Sequence, residues 1–181
     1  ATTNLISAVI QNNEATNNGG TLDGGGGGFW VSSGTVNGDA GTIIQSNESN
    51  QGSGFRATGF DTVVNLTGTT VQNNEARTRG GGFHVQDGAT INLDGATFSG
   101  NSTLTENGGG GYMTGGILNT TNGTKFDGNF TTANGDLGGG LFITGNAIAS
   151  FEDSFITNNN STLADGGGLF IQSADVTLDN T

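Results

Sequence analysis

The sequence lacks cysteine and proline, and it is poor in basic residues and in long apolar runs. Without cysteine the chain forms no disulfide bonds. Without proline it forms neither a collagen triple helix nor a proline-rich linker. No apolar run approaches the roughly 20 residues of a membrane-spanning helix. Four basic residues against 16 acidic ones give a formal net charge of −12, which disfavours nucleic acid and anionic membrane surfaces as partners.

Glycine is the residue that the chain has in excess, with 36 among 181 residues. Each glycine loses much backbone freedom on folding. Only 31% of the residues are hydrophobic, which is little for an ordinary core. Because both properties oppose folding, we expect a regular arrangement that compensates for them.

One phrase recurs six times: an apolar residue, two spacers, an asparagine, a polar arc, a glycine cluster and a short apolar strand. Its last copy is FITNNNSTLADGGGLFI at 155–171. The aligned asparagines are Asn13, Asn47, Asn74, Asn101, Asn129 and Asn158. The last glycines of the clusters, 26 to 29 residues apart, are Gly28, Gly54, Gly82, Gly111, Gly140 and Gly168. One longer interval of 34 residues between asparagines results from an insertion before Gly28.

A repeat of this length, without the 3.6-residue periodicity of a helix, predicts an all-β fold. We expect a right-handed parallel β-helix, a form of β-solenoid, with about six coils of 26–29 residues. Neighbouring coils would lie about 4.8 Å apart. Residues 1–181 are predicted to form a single domain.

Aligned positions that are mostly apolar predict the core, because side chains two residues apart on a strand share a face. The first and third positions after the glycines give two inward columns, namely Phe29, Phe55, Phe83, Tyr112, Leu141 and Leu169, and Val31, Ala57, Val85, Thr114, Ile143 and Ile171. A second strand is expected to add Val36, Val63, Ile91, Ile148 and Val176. The position three before the asparagine adds Ile10, Ile44, Val71, Phe98, Phe126 and Phe155.

The aligned asparagines are predicted to form an internal ladder at one corner of the coil. Asparagine tolerates a left-handed backbone, and its amide can bond both the backbone and the amide of the next coil. The glycines mark a second corner, which needs either a positive φ or a close approach between coils. We therefore interpret both motifs as structural, with no catalytic role.

The phrase F-x-x-N, followed by a glycine pair and an apolar strand, resembles the repeat of the polymorphic outer-membrane proteins, which are autotransporter adhesins. Residues 98–101, 126–129 and 155–158 carry the first half, and residues 81–83 and 167–169 carry the second. The first three coils depart from the phrase, because their apolar residues are Ile10, Ile44 and Val71. The resemblance implies a right-handed parallel β-helix with an extracellular, adhesive or structural role.

The middle residue of each glycine-flanked strand is expected to face outward. This column reads Trp30, Arg56, His84, Met113, Phe142 and Phe170. Large and aromatic side chains facing water predict an interaction stripe for a glycan, a protein or a neighbouring rod. The alternative is that the long loops beside the glycines cover the column. His84, which has no neighbouring metal ligands in the sequence, is predicted to be a solvated surface residue.

Acidic residues are expected at the corners of neighbouring coils. Glu14, Glu48 and Glu75 each follow an aligned asparagine, and Asp136 and Asp165 precede the glycines of two coils. Carboxylates stacked about 4.8 Å apart repel one another, and a weakly bound Ca²⁺ ion would relieve that repulsion. The alternative is that these carboxylates point into water. Because no calcium-loop motif is present, we assign no metal site and expect no other cofactor.

The two ends of the chain occupy one position in the repeat, since ADVTLDNT at 174–181 aligns with ATTNLISA at 1–8. Neither carries a cap, so we expect open strand edges and either copies that stack end to end or a piece of a longer passenger. Our hypothesis is a non-enzymatic, secreted structural β-solenoid that forms a filament or part of a fibrous surface adhesin. Its partners would be further copies and a host or matrix glycan or protein. The alternative is a β-helix that binds or cleaves polysaccharides with its acidic corners.

Overall fold

The computed structural model describes residues 1–16, 24–162 and 164–181. Within these ranges the regular structure is β-strand, and no helix could cross a membrane. The strands are, in chain order, Thr2–Leu5 (β1), Val9–Gln11 (β2), Glu14–Ala15 (β3), Phe29–Val31 (β4), Gly34–Gly38 (β5), Ile43–Gln45 (β6), Glu48–Gln51 (β7), Phe55–Thr58 (β8), Thr62–Thr67 (β9), Thr70–Gln72 (β10), Glu75–Arg79 (β11), Phe83–Gln86 (β12), Thr90–Asp94 (β13), Thr97–Ser99 (β14), Ser102–Thr103 (β15), Gly111–Thr114 (β16), Ile117–Thr121 (β17), Lys125–Asp127 (β18), Phe130–Thr131 (β19), Leu141–Thr144 (β20), Ile148–Glu152 (β21), Phe155–Thr157 (β22), Asn160–Ser161 (β23), Leu169–Gln172 (β24) and Asp175–Asp179 (β25).

These strands form four parallel sheets, because each coil contributes one strand to each sheet in turn. Sheet A has the order β1-β5-β9-β13-β17-β21-β25, and sheet B has the order β2-β6-β10-β14-β18-β22. Sheet C runs β3-β7-β11-β15-β19-β23, and sheet D runs β4-β8-β12-β16-β20-β24. Neighbouring strands pair in parallel and in register across successive coils. The predicted all-β parallel β-solenoid is therefore confirmed.

The core lies inside the coil and consists of like side chains stacked on like. Phe55 and Phe83 stack with ring centroids 5.7 Å apart, and Phe98 and Phe126 stack at 5.1 Å. The two pairs meet edge to face, with Phe83 and Phe98 at 5.4 Å. Offset-stacked and edge-to-face contacts are the favourable arrangements of aromatic rings. A continuous aromatic column thus stabilises a chain that has few apolar residues.

The predicted core columns are wrong at three places. In the fourth coil Gly111 pairs with Phe83, so Met113 points inward beside Val85 and Tyr112 points outward. In the sixth coil the inward residue is Ile156, while Phe155 is half exposed. In sheet A, Val63 and Ile148 lie on the outer face, and the inward column is Val36, Val64, Ile91, Leu118, Ala149 and Val176.

The glycine corner shows both of the features that the sequence offered as alternatives, a positive φ and a close approach between coils. At Gly82 a Cβ atom would lie 2.3 Å from the carbonyl oxygen of Gly110 in the next coil, so close approach excludes any side chain. Two residues earlier, Gly80 has a φ of +65°, which other residues rarely adopt. The column of closest approach contains Gly110 and not Gly111, because the fourth coil is shifted by one residue.

Candidate functional site

The inner asparagine ladder connects successive coils inside the solenoid. Asn74 Nδ2 donates to Asn101 Oδ1 in the next coil at 2.9 Å and to the Ile44 carbonyl of the preceding coil at 3.1 Å. The backbone N–H of Asn74 donates to the same Asn101 oxygen at 3.1 Å. This pattern joins Asn13, Asn47, Asn74, Asn101, Asn129 and Asn159. The ladder holds the coils in register.

The assignment of Asn158 to this ladder is wrong, because the last member is Asn159. Asn158 is exposed, and its Nδ2 donates to Asp127 Oδ1 at 2.7 Å. The ladder asparagine itself was expected to have a left-handed backbone, but at this corner the residue before it has one. The residues with positive φ at this corner are Asn12, Ser46, Asn73, Gly100, Gly128 and Asn158.

The outer column of sheet D is mostly covered by protein. Its members are Trp30, Arg56, His84, Tyr112, Phe142 and Phe170. Met113, which the sequence placed in this column, is fully buried on the inner face. Trp30 is 55% exposed, but His84 is only 1% exposed and Phe142 only 5%. The predicted exposed stripe is therefore wrong for the middle of the column, and the alternative of cover by loops is correct there.

The covered column is a second stack of rings outside sheet D. Tyr112 and Phe142 lie parallel with centroids 5.1 Å apart, and Phe142 and Phe170 follow at 5.2 Å. The Arg56 guanidinium lies over the Trp30 ring at 5.0 Å, a favourable cation–π arrangement. Glycines let the loops pass directly over this stack. A Cβ atom at Gly108, for example, would lie 3.1 Å from the Tyr112 Cβ.

His84 is buried in this stack, so the expectation of a solvated residue is wrong. Its ring meets Tyr112 edge to face at 5.1 Å, and neither ring nitrogen has a hydrogen-bond partner among the described residues. Burial, together with the positive charges of Arg56 and Arg79, lowers the pKa of His84 to about 3. His84 is therefore neutral in the folded chain at neutral pH.

The predicted acidic stack is present on the outer face of sheet C. Glu14 pairs with Glu48 and Glu48 pairs with Glu75, and all three side chains are exposed. Glu48 and Glu75 line a groove of about 320 Å³ with Arg77 and Leu104. Within the described residues no group of three or more acidic or histidine side chains is arranged to hold a metal ion.

The two predicted aspartates differ in their surroundings. Asp165 is exposed. Asp136 is 7% exposed, and its Oδ2 has no hydrogen-bond partner in the part of the chain that the structure describes. Burial raises the pKa of Asp136, and the nearby Glu106 carboxylate raises it further, while a hydrogen bond from the Ala133 backbone opposes the shift.

Two outer ladders were missed by the sequence reasoning. On the outer face of sheet A, side-chain amides of adjacent coils bond at 2.8–2.9 Å through Asn4, Asn37, Asn65, Asn92 and Asn119. On sheet B, Gln72 Nε2 donates to Gln45 Oε1, and Gln45 Nε2 donates to Gln11 Oε1, both at 2.7 Å. The sequence does contain a signal for these ladders, because an amide residue recurs at one aligned position of the strand, as in T-V-N-G, V-V-N-L and T-I-N-L.

Comparisons with protein-family models, with curated proteins and with solved structures gave no match. The fold itself, a parallel β-solenoid of stacked coils, rests on the strand pairing. The likeness to the polymorphic outer-membrane proteins thus remains one of short motifs.

Proposed function

We propose that this chain is a non-enzymatic structural β-solenoid that works outside the cell, as a rod in a filament or in a fibrous surface adhesin. The observation that carries this proposal is the inner asparagine ladder. Its amides bond from coil to coil in the interior, so they fix the coils into a rigid stack. The motif resemblance supports an extracellular setting. Further copies and a host or matrix glycan or protein are the partners of such a rod.

Extension of the rod by further coils is supported by the direction of the ladder. Each Nδ2 donates to the next coil along the chain, so the ladder begins with the Oδ1 of Asn13 and ends with the N–H groups of Asn159. At the ladder position, one end of the coil stack therefore presents a hydrogen-bond acceptor and the opposite end presents hydrogen-bond donors. A further coil, from a longer chain or from a second copy, would pair with either end.

When two copies of the 181-residue polypeptide stack end to end, sheet A has one strand in excess. Sheets B, C and D contain six described strands each, whereas sheet A contains seven. When β2, β3 and β4 of a second copy pair with β22, β23 and β24, its β1 needs the position that β25 occupies. Removal of residues 174–181 should therefore promote association of this polypeptide.

Sedimentation velocity and electron microscopy over a concentration series test the proposal. We expect unbranched rods, which form at lower concentration in the variant without residues 174–181. Ile171→Lys places a charge on the end coil, where Ile171 stacks on the buried Ile143, and should prevent association. Ile148→Lys is the matched control, because Ile148 is similarly exposed but lies on the outer face of sheet A. Single particles at every concentration, for all variants, would rule out assembly of copies.

The second candidate function is a β-helix that binds or cleaves polysaccharides, favoured by the groove beside Glu48 and Glu75. Paired carboxylates are the usual groups for glycoside hydrolysis. Release of reducing or unsaturated sugar ends, with and without Ca²⁺, would test this function. Activity that is lost in both Glu48→Gln and Glu75→Gln would replace the structural proposal with an enzymatic one.

A further inference from the structure

A second groove crosses the turns between sheets D and A in successive coils. It has a volume of about 390 Å³ and is lined by Phe60, Asp87, Thr114 and Asn146 together with turn glycines. It is separate from the groove beside Glu48 and Glu75, which lies on the outer face of sheet C. None of its lining residues belongs to the ladders or to the outer column of sheet D.

Phe60 is the aromatic wall of this groove. At 87% it is the most exposed large apolar side chain in the described residues. Its ring lies against Gly88 of the next turn, where a Cβ atom would fall 2.2 Å from the ring. A phenyl ring held on a glycine and otherwise open to water offers an apolar surface for a ligand.

The floor of the groove is backbone, because the turns carry glycine at left-handed positions. Gly88, Gly115 and Gly145 have φ values of +84°, +81° and +67°. Absence of side chains there lets a ligand approach the peptide groups closely. The polar wall is formed by Asp87, whose Oδ2 accepts from Gln86 Nε2 at 2.7 Å, and by Asn146. Carboxylate and amide groups bond several hydroxyls at once.

We propose that this groove binds a neutral, extended oligosaccharide running parallel to the solenoid axis. The apolar face of one sugar ring would pack on Phe60, and hydroxyls of this and the following sugars would bond Asp87 and Asn146. Coils repeat at about 4.8 Å, close to the advance of one hexose unit in an extended β-linked chain, so successive turns meet successive sugars. The net charge of −12 disfavours an anionic glycan. This site does not depend on any association between coils of different copies.

NMR titration of the 181-residue chain with cellohexaose tests the proposal, with maltohexaose as a coiled, α-linked comparison. We expect cellohexaose to shift the backbone amides of residues 87–88, 115–116 and 145–146. Phe60→Ala should weaken binding about tenfold, because it removes the apolar contact, and Phe60→Trp should preserve binding. Phe130→Ala is the matched control, since Phe130 is 38% exposed on sheet C and should leave binding unchanged.

Four results would overturn the proposal or its extended-chain geometry. One is the absence of shifts at these turns with cellohexaose, and another is equal binding by the wild type and Phe60→Ala. The third is a shift of the same amides with protein concentration alone, which would make a second copy the occupant of the groove. Equal binding of maltohexaose would overturn the extended-chain geometry. Each of these results comes from the NMR titration and is independent of rod formation, which is measured by sedimentation.

Discussion

Asn74 and Asn101 share a hydrogen bond of 2.9 Å between Nδ2 and Oδ1, and both residues are fully buried. Asn47 in turn donates to Asn74 Oδ1 from its backbone nitrogen and from its Nδ2. Asn74 also donates to the carbonyl of Ile44. One side chain therefore satisfies polar groups in both neighbouring coils.

Replacing this side chain should be costly. In Asn74→Ala the donors of Asn47 and the acceptors at Ile44 and Asn101 lose a partner in the interior, where water cannot replace it. We expect the free energy of unfolding to fall by about 2–4 kcal/mol. Urea unfolding followed by circular dichroism measures the change.

The outer ladder provides the matched control. Asn92 donates to Asn65 at 2.8 Å and accepts from Asn119, but it lies on the outer face of sheet A. Because water can solvate the groups that Asn92→Ala leaves unpaired, the loss should stay below about 1 kcal/mol. Equal losses in the two variants would contradict the structural role assigned to the inner ladder.

His84 should make the fold sensitive to acid. Its pKa is about 3 in the folded chain and near 6.5 in an unfolded one. As the pH falls below 6.5 the unfolded chain binds a proton that the folded chain refuses, so stability is complete above that pH and is lost toward pH 3. The loss attributable to His84 is on the order of 1 kcal/mol per pH unit.

Two measurements check this prediction. His84 is the only histidine, so its ring protons report one titration in the folded chain, and they should move only at strongly acidic pH. His84→Phe removes the titrating group and should flatten the decline in unfolding free energy between pH 6.5 and 3. A folded-state titration near pH 6.5 would mean that the ring is solvated.

The glycine corner should not tolerate even a methyl group. Gly82→Ala would place a Cβ 2.3 Å from the Gly110 carbonyl oxygen, which forces the coils apart and should cost about 1–3 kcal/mol. Gly168→Ala is the control in the same column, because its nearest neighbour is Ile156 Cγ2 at 3.3 Å. Thermal unfolding should separate the two variants clearly. Similar melting temperatures would contradict the close-approach argument.

The stacked glutamates should make stability depend on salt. Glu48 lies between Glu14 and Glu75, so Glu48→Gln removes two repulsive pairs and should raise Tm by about 1–2 °C at low salt. The gain should shrink as salt screens the charges. Weakly bound Ca²⁺ would raise Tm in the wild type more than in Glu48→Gln, and EDTA would reverse it. Equal responses to Ca²⁺ in both proteins would exclude binding at this stack.

The register of a strand could be predicted from the sequence only where the residue that identifies it has no identical neighbour. The repeat fixed the alignment of Asn13, Asn47, Asn74, Asn101 and Asn129, and the structure joins all five. In N-N-N at 158–160 and G-G-G-G at 108–111, neighbouring residues are identical. A strand can slip by one residue there without changing its composition, and such a slip moves every side chain to the opposite face. Packing against the adjacent coils selected Asn159 and Met113.

The sequence by itself determined the fold class, because a repeat of 26–29 residues with apolar columns has few ways to bury them other than stacking. Only the tertiary structure decided which outward residues meet water. Alternation along a strand assigns a face, but the cover of His84, Tyr112 and Phe142 comes from loops between sheets C and D. Those loops differ in length and residue type from coil to coil, so their path depends on contacts that no periodicity encodes.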